Sequence, residues 1–143
     1  MNVSVYKEVH TLSQRLPSLC DGQVKSIKAA DQKVKVIIKT ESGYWSNKDL
    51  IFEIRTKKYP KSPCKVICRS KILHPNILEI DGEVCLSIFD EDWNPNMRLD
   101  DYVLGILFIL HHPNFDDPLS DYFCIAREQG KMVQAINSLA STF

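Results

Sequence analysis

Five side chains in this sequence could serve as sulfur nucleophiles: Cys20, Cys64, Cys68, Cys85 and Cys124. Cys85 differs from the rest in its surroundings. It follows the turn pair Asp81-Gly82 and precedes the apolar run Leu86-Ser87-Ile88-Phe89. The thiolate is the reactive form, so a working cysteine must be partly exposed and not sunk in a strand. The competing reading is a buried thiol acting as a small hydrophobe. Of the four histidines, His10, His74, His111 and His112, none carries a local signature of a base for Cys85, and nothing like a cysteine-protease arrangement surrounds it. Cys64 and Cys68 share one face of an expected strand by their even spacing. Their separation is not that of a zinc knuckle and no second pair follows, so they read as structural thiols. His111-His112 ends an expected helix, where an imidazole suits the negative dipole end. No further ligands accompany the pair, and neither a metal nor a cofactor is expected. Asn76 is a turn-former by type, and Asp116-Asp117 could cap a following helix.

The elements that must hold these residues follow from periodicity. Val5, Val9, Leu12 and Leu16 recur at helical spacing, predicting a helix over Val5 to Leu16 that Pro17 ends. Val24 to Ala30 and Lys33 to Lys39 read as strands joined at Asp31-Gln32, since Val34, Val36 and Ile38 alternate with their neighbours. Leu50, Phe52 and Ile54 mark a third strand. Lys65 to Cys68 marks a fourth after the breaker Tyr59-Pro60-Lys61-Ser62-Pro63. From Arg69 to Arg98 no period holds, and a long irregular stretch in a compact domain is usually functional. An almost wholly apolar helix, capped by Asp100 and buried, is expected to about Leu110, followed by Ser120 to Gln129 and Lys131 to Leu139 as two further helices. The class is therefore α+β: an N-terminal helix, a four-stranded antiparallel meander, a long irregular segment, a buried central helix and two C-terminal helices, in a single domain over residues 1–143.

The 143-residue chain carries 18 Lys+Arg and 18 Asp+Glu, a formal net charge of zero. That balance argues against a general nucleic-acid or membrane binder without excluding a local patch. The first residues lack a basic region followed by an apolar stretch, so no signal peptide is read. The longest apolar run, Tyr102 to Leu110, is too short to span a bilayer. An odd cysteine count then suggests free thiols in the cytoplasm or nucleus.

Several landmarks occur in order: Tyr59-Pro60, Pro63, Lys65-Val66; then Lys71-Ile72-Leu73-His74-Pro75-Asn76-Ile77; then Gly82-Glu83-Val84-Cys85-Leu86; then Trp93-Asn94-Pro95; then Pro113-Asn114-Phe115-Asp116-Asp117-Pro118-Leu119. The series resembles the ubiquitin-conjugating enzymes, most strongly from Tyr59 to Leu119. The resemblance implies that Cys85 carries a ubiquitin-like modifier as a thioester, taken from an activating enzyme and passed to a lysine of a protein target. It implies that Asn76 donates to the developing oxyanion or holds the loop, and that Asp117 orients the amine. His74 is structural within its turn, and Lys61, Pro63, Asn94 and Pro95 face partners, among them a RING-type ligase.

Certain residues depart from the family pattern. Asn76 to Cys85 is one residue longer than usual, Thr40 to Lys48 lacks the usual glycine-rich pattern, and Lys61 replaces a common aromatic. Cys85-Leu86-Ser87-Ile88, Glu91-Asp92-Trp93-Asn94-Pro95 and Gly105-Ile106-Leu107-Phe108 look most like the neddylation (cullin-modifier) branch. That branch commonly carries an extension before the first helix, which here starts almost at Met1. A ubiquitin carrier of the same family, or a non-catalytic variant that binds a modifier or ligase, are the alternatives.

Overall fold

A computed structural model describes residues 3–139. Strands β1 (Val24–Ala30), β2 (Lys33–Ile38), β3 (Leu50–Arg55) and β4 (Lys65–Cys68) form one antiparallel sheet in the order β1-β2-β3-β4. The helices are α1 (Val3–Ser13), α2 (Leu99–His111), α3 (Asp121–Glu128) and α4 (Met132–Leu139). The α+β meander is thus as the periodicity predicts. Register follows from the pleat. Val34 pairs with Ile54 and Val36 with Phe52, putting one apolar file on the inner face, where all four are fully buried. The β1–β2 turn uses Asp31 and Gln32, both at positive φ (49° and 62°), which matches the right-handed twist of the flanking strands.

Helix ends depart from the sequence reading, each for a local reason. α1 stops at Ser13, three residues before Leu16, because the Ser13 hydroxyl bonds back to the Val9 and His10 carbonyls and the next turn tightens. Leu16 still packs on the core. Asp100 does not cap α2. The cap is Arg98, whose backbone N–H donates to Asp101 Oδ2 at 2.8 Å. α2 is not buried all round either, since Leu104 and Phe108 are about half exposed. Asp116-Asp117 do not cap α3. Pro118 blocks helix just there, and Ser120 Oγ accepts from the Phe123 N–H instead.

The long segment before α2 contains only one short 3₁₀ turn, Ser87–Phe89. It is nevertheless laced to the sheet. Cys68 N–H donates to Gly82 O at 2.7 Å and Val84 N–H to Val66 O at 2.8 Å, so residues 82–84 run along β4. Gly82 sits at φ +78° so close to the Cys68 carbonyl that a Cβ would collide with it, which requires glycine there. No helix among the described residues is long and apolar enough to cross a membrane.

Candidate active site

Cys85 is half buried, one residue beyond the segment tied to β4. Its backbone N–H donates to Asn76 O at 2.8 Å, and an Ile77–Val84 bridge continues the pairing. Between these ties the chain closes a compact turn, with Leu78 N–H donating to Glu83 O and Gly82 N–H to Leu78 O. The longer spacing between Asn76 and Cys85 is absorbed in this turn, whose Ile80 projects into solvent at 90% exposure.

Burial raises the Cys85 thiol pKa, and the carboxylates of Glu83, Asp81 and Asp90 raise it further. The thiol points its hydrogen at the Glu83 carbonyl, at 3.8 Å. Among the described residues no cation offsets these effects at the thiol.

His74 and Asn76 are both buried, and their bonding is fully assigned. His74 Nδ1 accepts the Asn76 N–H at 2.9 Å, so Nε2 carries the proton and donates to Ile109 O at 2.8 Å. Burial drives the His74 pKa down to about 4 despite that bond, leaving a neutral ring. Trp45, fully buried, stacks on it with centroids 4.3 Å apart and donates its indole N–H to Leu73 O. The Asn76 amide faces the opposite loop. Its Oδ1 accepts the Asn114 N–H at 2.9 Å and its Nδ2 donates to Asn114 O at 3.4 Å.

Asn114 in turn shapes the acidic loop. Its Oδ1 accepts the N–H groups of Asp116 and Asp117, both at 3.1 Å. Pro75 O accepts from Leu119 and Ser120. Glu79 completes the lacing, one carboxylate oxygen on the Asp121 N–H and the other on the Tyr122 N–H, at 3.0 and 2.9 Å. A negative side chain at a helix N-terminus is electrostatically favoured. Asp117 itself is exposed, 3.9 Å from Arg127.

A groove of about 640 Å³ joins these parts, with Asn76, Cys85, His112, Asn114 and Asp117 among its lining and Pro63 at its edge. The sequence-predicted Cys85, Asn76 and Asp117 therefore meet, and His74 lies behind them. Lys61, Pro63, Asn94 and Pro95 are all exposed. Their two loops converge on Tyr102, whose hydroxyl accepts the Cys64 N–H at 2.9 Å and has Trp93 beside it. No group of His, Cys, Asp or Glu among the described residues could hold a metal. Cys64 and Cys68 are buried, and burial pushes each thiol to about 11. His111 Nε2 donates to Gln23 Oε1 at 2.7 Å.

Sequence reasoning missed Asn114, Glu79 and Trp45, and placed His112 only at a helix end, whereas it lines the groove. Asn114 stood inside a quoted motif, where an Asx-turn was available to it by type. For Glu79 and Trp45 no local pattern exists, because their partners lie 42 and 28 residues away.

A sequence model described as ubiquitin-conjugating enzyme matches residues 4–135. The chain belongs to the ubiquitin-conjugating enzyme family. Among curated members, it is 32% identical over 132 residues to the NEDD8-conjugating enzyme Ubc12 of Arabidopsis thaliana, covering 91% of this chain and 70% of that one. It is 37% identical over 109 residues to the NEDD8-conjugating enzyme UBC12 of Saccharomyces cerevisiae, covering 73% and 57%. Against the Drosophila melanogaster Nedd8-conjugating enzyme UbcE2M the match is 40% over 87 residues, 60% of this chain and 48% of the other. This family member thus spans 48–70% of those relatives' length. Two solved structures share its fold. The H. polymorpha ubiquitin-conjugating enzyme Pex4p, in complex with the soluble domain of Pex22p, matches at TM-score 0.78 and 17% identity over 95% of this chain and 92% of that one. A Toxoplasma gondii ubiquitin-conjugating enzyme domain matches at 0.73 and 22%, over 98% and 96%.

Proposed function

We propose that this chain is a conjugating enzyme of the neddylation type, carrying a NEDD8-like modifier as a thioester on Cys85. The observation that carries the reading is the groove in which Cys85, Asn76 and Asp117 line one surface. The relatives named as NEDD8-conjugating enzymes support the choice of modifier.

The chemistry is two acyl transfers. The Cys85 sulfur attacks the thioester carbonyl carbon of the modifier held on its activating enzyme. A new carbon–sulfur bond forms, the activating enzyme's thiolate leaves, and the proton lost by the Cys85 thiol passes to it through solvent. A lysine Nζ of the target then attacks the same carbon, the Cys85 thiolate departs, and the amine's proton returns to it through solvent. The lysine's attack builds negative charge on the carbonyl oxygen, and in that step a neutral donor from this chain is most effective. Asn76 has a second amide hydrogen beyond the one directed at Asn114 O. Its bonds to Asn114 also brace the acidic loop, so it serves both as donor and as brace. The lysine must lose its proton, although a free lysine titrates near 10.4. Asp117 accepts a hydrogen bond from the amine and aims it, while partial desolvation in the groove favours the neutral form. Lys61, Pro63, Asn94 and Pro95 form the surface offered to a RING-type ligase, and Tyr102 keeps the two loops in register.

Charging decides the matter. Incubated with an activating enzyme, ATP and NEDD8 or ubiquitin, the protein should gain an adduct that survives denaturation and disappears with reductant. Cys85→Ser should give only a reductant-resistant ester. Preference for ubiquitin would reassign the modifier. No adduct with any modifier would overturn the reading.

A further inference from the structure

The groove that holds the Cys85 thiol also holds an amine. Lys65, the first residue of β4, lines it together with Cys85 and Glu83, and among the described residues it is the one lysine that does so. Backbone pairing brings the two together. Ile67 bridges Glu83 in antiparallel register, and Val84 N–H donates to Val66 O at 2.8 Å. Antiparallel partners run in opposite directions. Two places after Glu83 and two places before Ile67, the same register sets Cys85 against Lys65. Alternate residues of an extended chain share a face, so both side chains leave the strand pair on the same side. Residues opposed in this way have Cβ atoms about 5 Å apart.

Glu83 fixes where the amine sits. Its Oε1 lies 3.5 Å from Lys65 Nζ, and its carbonyl is the group at which the Cys85 thiol points, at 3.8 Å. One residue thus touches the thiol through its backbone and the amine through its side chain. The Lys65 side chain is 67% exposed. Exposed ion pairs are weak and their partners separate readily. A lysine stem is also flexible enough to swing its nitrogen from Glu83 toward an acyl group on the neighbouring sulfur.

We propose that Lys65 is an internal acceptor: when no target is bound, the modifier passes from Cys85 to Lys65 of the same chain. The inference rests on the conjugation reading of Cys85. The neutral Lys65 Nζ attacks the thioester carbonyl carbon, a carbon–nitrogen bond forms and the carbon–sulfur bond breaks. The amine's proton passes through solvent to the departing Cys85 thiolate, so no further reactant is needed. The product is an isopeptide, which reductant does not cleave. Because both groups belong to one chain, the step needs no encounter with a second molecule. It competes with target modification most when targets are scarce.

The test uses the full chain charged with NEDD8 or ubiquitin by an activating enzyme and ATP. ATP is then removed, and neither target nor free lysine is added. As the thioester decays, a reductant-resistant adduct should accumulate, and peptide mass spectrometry should find the modifier's C-terminal remnant on Lys65. Lys65→Arg keeps a cation beside Glu83. It should charge like wild type yet form at least about tenfold less of that adduct, since other lysines lack this proximity. The wild-type rate should be independent of enzyme concentration and should rise with pH, because only a neutral amine attacks. A differently tagged Cys85→Ala chain mixed with charged wild type should stay unmodified. An adduct on another lysine, one undiminished in Lys65→Arg, transfer to the Cys85→Ala chain, or a thioester that only hydrolyses would each overturn the proposal. A chain that never charges would show a different failure: the conjugation reading falls first and takes this inference with it.

Discussion

Replacing Asn76 with alanine separates bracing from chemistry. The substitution removes the 2.9 Å bond from the Asn114 N–H and the 3.4 Å bond to the Asn114 carbonyl. The longer contact contributes little at that distance. The shorter one contributes about 1 kcal/mol, and leaving the Asn114 N–H without its partner adds about 1 kcal/mol more. The total is about 2 kcal/mol. At this length a kilocalorie shifts the melting temperature by about 4 °C, so a fall of about 8 °C is expected. Single-turnover discharge of a Cys85-linked modifier to free lysine is the second readout. Loss of an oxyanion donor costs about 3 kcal/mol of barrier, a rate drop of about a hundredfold, while charging stays near wild type. Asn76→Asp divides the two roles, because it keeps an oxygen for the Asn114 N–H but has no amide hydrogen to donate. It should recover most of the melting temperature and little of the discharge rate. An unchanged melting temperature in Asn76→Ala would refute the brace. Full discharge by Asn76→Asp would refute the donor.

Asp117→Ala should leave charging intact and slow discharge to lysine. Its melting temperature should move by less than about 4 °C, since the Asp117–Arg127 contact is exposed and such pairs contribute about 0–1 kcal/mol; loss of charging would instead signal a folding role. Glu79→Gln should lower the melting temperature by about 4 °C, as a helix cap contributes about 1 kcal/mol, and no change would show that the carboxylate adds nothing over an amide at α3. Acid should destabilise the fold through His74. Its folded pKa of about 4 lies below the unfolded 6.5, so the unfolded state takes up the proton first and stability falls as pH drops from 6.5 toward 4. Urea midpoints should register a loss of about 2 kcal/mol between pH 7 and 5, and a flat profile over that window would contradict a buried neutral ring.

The sequence announced the strands because alternation is a local signal: Val34, Val36 and Ile38 can face the core only if the chain is extended there. It also announced Cys85, Asn76 and Asp117, whose motif neighbours are short, ordered and distinctive. Helix ends were less legible, since the side chains of Ser13 and Asp101 decide them by local bonds that compete with equally plausible neighbours. The half-exposed Leu104 and Phe108 were read as buried because composition says how apolar α2 is, not which stripe meets the sheet. What joins the thiol loop to the acidic loop left little trace. Cys85 N–H to Asn76 O, and Leu119 and Ser120 N–H to Pro75 O, are backbone groups that every sequence possesses.

That last pair of bonds bears on how such a site endures over evolutionary time. A single carbonyl, that of Pro75, gathers two amides of the opposite loop, and neither partner depends on what its side chain is. Substitutions at Leu119 or Ser120 other than proline leave both amides in place. The alignment of the two loops can therefore survive extensive drift in the residues that flank it. Selection need watch only a few positions closely while the surrounding surface is free to diverge toward new partners.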